Sequence, residues 1–339
     1  MKRIISMMVT IFIVINLLTL NCVANEKKEK QFDVSAHYAI AIDSKTRRVL
    51  YEKKGTAIVP MASTTKIITS LVAIKYGNLD KEFEISKNAA SVRGSTVGYK
   101  KGEKVTLREL LVGLMFKSGN DAAIAIAEGV SGSVEEYCKV MNEYAIEIGL
   151  MDSNFESPHG LDSNRHYSTA YDLAVATAKA KEDKFFNDIV GKKEIPQGEY
   201  NFTRSYNNIN KILWQIPGAN GVKTGYTGGA GKCLVTSVKN GPSDVIIVVL
   251  NCPERWKETS KIFNYVQDKY EYKNIKDLNN MDEESNMNIF NEDIFVPIKK
   301  GSNSMFKLEV NDKTSDNGIV GEIKVFEDEN IIYKHEIYK

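Results

Sequence analysis

The chain has 339 residues, with 45 Lys and Arg against 44 Asp and Glu, a formal net charge of +1. So even a balance excludes the basic footprint of a nucleic-acid-binding protein, and the length allows two domains and a large core. Four cysteines, Cys22, Cys138, Cys233 and Cys252, lack C-x-x-C spacing, which leaves no metal site and no disulfide framework. The last three read as small buried hydrophobes.

The amino terminus carries Lys2-Arg3, an apolar run from Ile4 to Leu20, and Cys22-Val23-Ala24 before a charged stretch. That is a positive n-region, an h-region and a small-residue cleavage site, so residues 1–24 read as a signal peptide and the mature chain as secreted across the cytoplasmic membrane, to the extracellular face or cell wall. A retained single-span anchor is the alternative, because the run approaches the ~20 residues that a membrane helix needs. Peripheral association with membrane or wall stays open. Cys22 invites a lipoprotein reading, but Thr19-Leu20-Asn21 is a poor acylation context.

Tyr38 to Ile42 and Arg48 to Tyr51, flanking Asp43-Ser44-Lys45-Thr46, predict a hairpin. Apolar Ile67, Ile68, Leu71, Val72 and Ile74 predict a buried helix over 64–76, ended by Gly77. Capping pairs Thr106 with Glu109, Ser133 with Glu136 and Thr169 with Asp172 open three more helices. A further helix over 121–128 leaves Ser118-Gly119-Asn120 in a tight connection. Lys232 to Ser237 and Val245 to Leu250 read as adjoining strands, and Pro253 opens a last helix to about Tyr270. Beyond a polar stretch at 277–288, short alternating segments at 306–310, 319–323 and 331–333 predict a small β domain. The fold class is therefore α+β: an antiparallel sheet flanked by helices with a helical subdomain over 33–272, then an all-β domain over 289–339.

Three strings in this frame carry chemistry: Ser63-Thr64-Thr65-Lys66, Ser118-Gly119-Asn120 and Lys223-Thr224-Gly225. In the first, Lys66 follows one turn after Ser63 on the same helix face, within reach of its oxygen. An amine activates a serine at neutral pH when burial or a nearby positive charge depresses its pKa. At a helix start the Ser63 peptide N–H also points at an incoming oxyanion.

In order and context, including Ser157-Pro158-His159-Gly160-Leu161 and His166-Tyr167-Ser168-Thr169-Ala170, the strings resemble those of the penicillin-recognising serine enzymes, and among them the low-molecular-mass D-alanyl-D-alanine carboxypeptidases. The resemblance covers roughly residues 33 to 270. It implies Ser63 as nucleophile, Lys66 as base and Ser118 as the relay that protonates the leaving amine. Asn120 would hold Lys66 and the substrate backbone. Lys223 and Thr224 would bind a terminal carboxylate, Gly225 would admit the ligand, and the Tyr226 N–H would complete the oxyanion hole. The implied substrates are peptidoglycan stem peptides ending in D-Ala-D-Ala, with β-lactams as covalent inhibitors and no cofactor or metal.

Rival readings are a β-lactamase and a non-catalytic penicillin-binding wall module. A β-lactamase would need a deacylating base, yet no E-x-x-L-N segment lies between the second and third strings, and Glu156 is the only nearby carboxylate. No G-x-S-x-G elbow exists for a Ser-His-Asp triad. Gly228-Gly229-Ala230-Gly231-Lys232 fails as a P-loop, with Tyr226 where Gly is required and Cys233 where Ser or Thr is. His159 and His166 read as loop-fixing residues. Asn207-Asn208-Ile209-Asn210 departs from the tighter Asn-Thr-Asn run of relatives, and Thr227 reads as a turn residue.

Overall fold

The computed structural model describes residues 32–278, 293–310 and 319–338. The leader expected over 1–24 and the acidic run Asp282-Glu283-Glu284 lie outside them. The predicted hairpin is β1 (Tyr38–Asp43) and β2 (Val49–Lys53). Asp43 closes its turn, because Oδ1 accepts from the Thr46 N–H and hydroxyl, each at 2.7 Å.

The helix expected over 64–76 is α1 (Lys66–Tyr76), and a 3₁₀ turn, Ala62–Thr65, precedes it. Ser63 thus sits in the tighter turn and Lys66 opens the α-helix, two residues later than the apolar pattern suggests. Every residue of α1 from Lys66 to Ala73 is buried, which makes it the central helix of the molecule. Burial of Ile67 and Ile68, both 0% exposed, contributes about 2 kcal/mol each.

Next come β3 (Glu82–Glu84), α2 (Lys87–Ser91) and β4 (Lys104–Thr106), then the helices α3 (Leu107–Phe116), α4 (Asn120–Ser131), α5 (Val134–Glu147), α6 (Ala170–Ala180) and α7 (Lys184–Val190). Thr106, Ser133 and Thr169 each accept the N–H three residues on, as their capping patterns predict. The reciprocal half of the first box is absent. Glu109 instead takes the Tyr206 hydroxyl at 2.8 Å and the Thr203 hydroxyl at 3.0 Å, tying α3 to a distant loop.

Short β5 (Glu194–Ile195), β6 (Tyr206–Asn207) and α8 (Ile212–Gln215) lead to β7 (Ala219–Thr227), β8 (Gly231–Asn240), β9 (Ser243–Leu250) and α9 (Arg255–Lys269). The main sheet is antiparallel with strand order β2-β1-β9-β8-β7, so β7 is an edge. Ile40, Ile42, Val235, Ile246, Val248 and Leu250 join the core beneath the helices. Alternation along the strands turns their neighbours to the other face, where α9 packs on β8 and β9.

The chain continues through β10 (Tyr270–Asn274), β11 (Phe295–Lys299), β12 (Ser304–Val310), β13 (Ile319–Glu327) and β14 (Asn330–Tyr338). β10 pairs with β11, and β12, β13 and β14 form a three-stranded sheet. The boundary expected at 272 therefore falls inside β10, and Val34–Lys339 is one compact unit. Arg48 joins Glu327 at 2.6 Å with both side chains buried, and the Tyr272 hydroxyl donates to Asp43 Oδ2 at 2.8 Å. Breaking such a buried pair by removing one partner costs about 3–5 kcal/mol, so the C-terminal strands are held firmly to the β1–β2 hairpin.

Candidate active site

The turn bearing Ser63 is held by its own threonines. Thr64 donates to the Met61 carbonyl at 2.6 Å and Thr65 to the Ala62 carbonyl at 2.8 Å, while Ala62 stands at φ +51°. Ser63 stays partly exposed above this rigid base. Lys66, fully buried, places Nζ 2.9 Å from Ser63 Oγ, 2.8 Å from Asn120 Oδ1 and 2.9 Å from the His159 carbonyl. Two of those partners can only accept. A neutral amine gives them its two protons and turns its lone pair to the Ser63 hydroxyl, which is the geometry of a base. Burial drives the Lys66 pKa well below the ordinary lysine range; the charge of Lys223 adds to this and Asp121 opposes it.

Ser118 lies between α3 and α4 at φ +58°, with its Oγ accepting from Lys223 Nζ at 3.0 Å. Asn120 is the first residue of α4 and does not cap it with its side chain. Its amide bridges instead, accepting from Lys66 and donating to the Arg93 carbonyl at 2.7 Å. Beside it, buried Asp121 accepts from the N–H groups of Val97 at 2.9 Å, Gly98 at 2.8 Å and Tyr99 at 3.2 Å, strapping that loop over the start of α4.

Lys223, Thr224 and Gly225 lie on β7, and Gly225 packs against the nucleophile turn. A Cβ there would meet the Ser63 nitrogen at 3.2 Å, so the residue must be small. Lys223 is 1% exposed, and burial, with the charge of Arg255 second, lowers its pKa to about 7. Arg255, at the start of α9, donates through one nitrogen to the carbonyls of Gly225 at 2.7 Å and Cys233 at 3.0 Å. With the Gly225 carbonyl turned to Arg255, the planar trans peptide directs the Tyr226 N–H the opposite way, to the free edge of β7. The Tyr226 side chain is 66% exposed.

The structure brings Ser63, Lys66, Ser118, Asn120, Lys223 and Gly225 into one connected constellation, with Thr224 on the same strand and Tyr226 next along it. Sequence reasoning missed Arg255 and Asp121, which act across the fold and carry no spacing signal. It read His159 and His166 as loop-fixing, and the imidazole of His166 links the Glu156 N–H, received on Nδ1 at 3.0 Å, to Thr65 Oγ1, 2.9 Å from Nε2. Because Nδ1 accepts, Nε2 carries the proton, and the ring is neutral.

Burial lowers the pKa of both histidines to about 4. The unfolded chain protonates them near 6.5 and the folded chain only near 4. Stability is therefore full above the first value and is lost as the pH falls through the second. Urea unfolding is expected to show His166→Gln losing roughly 2 kcal/mol less than the parent across this window. Equal losses in the two proteins would contradict the buried neutral imidazole.

Among the described residues, no group of three or more His, Cys, Asp or Glu side chains could hold a metal ion, and Cys138, Cys233 and Cys252 are buried free thiols. A partly exposed serine bonded to a buried lysine, set beside a Lys-Thr-Gly edge strand of an antiparallel sheet, is the architecture of the penicillin-recognising serine acyl-transferases.

The family model for D-alanyl-D-alanine carboxypeptidases, peptidase family S11, matches residues 24–254. The chain belongs to this family. It is 36% identical over 284 residues to D-alanyl-D-alanine carboxypeptidase DacF of Bacillus subtilis, spanning 80% of this chain and 72% of that protein. Against D-alanyl-D-alanine carboxypeptidase DacC of Escherichia coli it is 33% identical over 71% of this chain and 64% of the relative. Among solved structures, the D-alanyl-D-alanine carboxypeptidase from Mycobacterium tuberculosis superposes with a TM-score of 0.66 at 29% identity, covering 70% of this chain and 92% of that one. Penicillin-binding protein 6B from Escherichia coli covers 93% of this chain and 98% of its own with a TM-score of 0.72, a likeness of fold at 23% identity.

Proposed function

We propose that the protein removes the terminal D-Ala from peptidoglycan stem pentapeptides through an acyl-enzyme on Ser63. The observation that carries this reading is the fully buried Lys66 with its Nζ 2.9 Å from Ser63 Oγ. Ser63 Oγ attacks the carbonyl carbon of the penultimate D-Ala while Lys66 takes its proton. The negative oxygen is received by the N–H groups of Ser63 and Tyr226. Ser118, bonded to Lys223, gives its hydroxyl proton to the departing D-Ala nitrogen as the peptide bond breaks and takes in its place the proton held by Lys66, which leaves Lys66 neutral again. Water then attacks the ester, releasing a tetrapeptide and restoring the Ser63 hydroxyl.

Lys223 and Thr224 bind the substrate's terminal carboxylate, Asn120 fixes its backbone, and Gly225 lets it lie along the free edge of β7. A β-lactam presents a carboxylate and a strained amide to the same groups and stops at the ester. The β-lactamase alternative finds no support, since the Glu156 carboxylate turns to the Ser163 hydroxyl and lies 4.0 Å from Arg165. The leader-like amino terminus supports export, followed by action outside the cytoplasmic membrane.

Intact-mass analysis with benzylpenicillin tests the reading. The protein is expected to gain one penicilloyl group that decays slowly, to release D-Ala from a D-Ala-D-Ala tripeptide, and to lose both properties in Ser63→Ala. Rapid penicillin turnover without a lasting adduct would make it a β-lactamase, and no adduct with no D-Ala release would leave a binding module.

A further inference from the structure

Asp162 belongs to the exposed stretch between His159 and His166, and its carboxylate crosses to the opposite wall of the site. Oδ1 accepts from the Thr227 hydroxyl at 2.6 Å and Oδ2 from the Gly229 N–H at 2.9 Å. Thr227 Oγ1 in turn accepts from the Ala230 N–H at 3.1 Å, so one carboxylate and one hydroxyl organise the whole turn between β7 and β8. Gly229 permits the approach, because a Cβ there would stand 3.0 Å from the carboxylate.

What this clasp joins gives it a consequence beyond the turn. Thr227 is the last residue of β7, next to Tyr226. On the other side, the loop carrying Asp162 is anchored to the nucleophile's own helix, through the His159 carbonyl on Lys66 and the imidazole of His166 on Thr65. The two oxyanion donors sit on separate elements, and β7, as an edge strand, has a sheet neighbour on one side only. Gly225 packs on the nucleophile turn on one side of Tyr226, and on the other side the Asp162 clasp ties Thr227 to the loop anchored on Lys66 and Thr65.

We infer that Asp162 is a positioning residue for acyl transfer: by clasping Thr227 and Gly229 it holds the Tyr226 N–H at its working distance from Ser63. This rests on the Ser63 acyl-enzyme reading. The clasp touches no substrate atom and acts through the geometry of the oxyanion hole. A misplacement of about 1 Å costs roughly a hundredfold in rate, and partial loosening costs less.

The test compares Asp162→Ala, Thr227→Val, the double variant and Thr227→Ser with the parent, following benzylpenicillin acylation by intact mass and D-Ala release from a D-Ala-D-Ala tripeptide. Each of the first two is expected to lower the acylation rate and kcat about tenfold, with KM changed by less than about threefold. The double variant should be no slower than either single one, because both remove the same link. Thr227→Ser keeps the hydroxyl and should restore the parent rate. Melting temperatures report folding separately, and the clasp is exposed enough that they should stay near the parent value. Unchanged acylation in Asp162→Ala, or losses that multiply in the double variant, would overturn the proposal while leaving the acyl-enzyme reading intact. A parent protein that is never acylated would overturn both.

Discussion

Replacing Lys66 by methionine is expected to slow benzylpenicillin acylation of Ser63 by about a thousandfold, within the range that a positioned base contributes. Methionine keeps most of the apolar stem and removes only the amine, so the loss reports proton transfer rather than packing. The pH profile carries the sign. Lys66 works as the neutral amine, so acylation falls on the acid side as it takes up a proton. Lys223 works as the ammonium beside an anionic carboxylate, so activity falls on the alkaline side as it loses one.

Burial, with the charge of Arg255 second, brings Lys223 down to about 7, and a bound carboxylate favours its charged form and raises that value. The alkaline limb of kcat is therefore expected to lie above that of kcat/KM, which reports the free enzyme. The charge of Lys223 adds to burial in lowering the Lys66 pKa, so loss of the Lys223 proton also eases protonation of Lys66. Lys66→Met should lose the acid limb and retain only a slow reaction that still falls on the alkaline side as Lys223 loses its proton. Acylation of that variant within about tenfold of the parent would remove Lys66 from the role of base.

Local chemistry was legible where its partners lie nearby in sequence. Thr106, Ser133 and Thr169 cap as their spacing predicts, because the donor sits three residues on in the same helix. Ser118 and Gly119 fall in the tight connection that the flanking helical patterns predict, with Asn120 opening the next helix. Residues whose work is done at long range were not legible. Glu109 has the spacing of a reciprocal capping partner, yet its carboxylate is claimed by Tyr206, 97 residues away. The sequence pattern opens the last helix at Pro253 and gives Arg255 no role, and only the fold sets it behind Gly225. The nucleophile's 3₁₀ turn was read as α-helix because the positive φ of Ala62 leaves no mark on hydrophobic spacing. β10 was overlooked because its partner β11 lies beyond residues 279–292.

Gly160 shows the same long-range control and gives the largest expected effect on the fold near the site. Its φ is +85°, and a Cβ would overlap the Ala62 carbonyl oxygen, the acceptor of the Thr65 hydroxyl at the base of the Ser63 turn. Neither side is a side chain that can rotate away. Gly132, the C-cap of α4, has nearly the same φ of +84° but open space around it. Alanine at Gly132 therefore carries only the left-handed backbone penalty, about 1 kcal/mol, whereas alanine at Gly160 adds overpacking for a total of about 3 kcal/mol or more. Urea unfolding should separate the two by roughly 2 kcal/mol. Penicillin labelling should separate them further, because relief of the clash moves the His159 carbonyl, a hydrogen-bond partner of Lys66, and Gly132→Ala leaves that bond alone. Equal stability and equal labelling in the two variants would show that the 157–161 segment yields freely, and that its contact with the nucleophile turn does not set the geometry of the base.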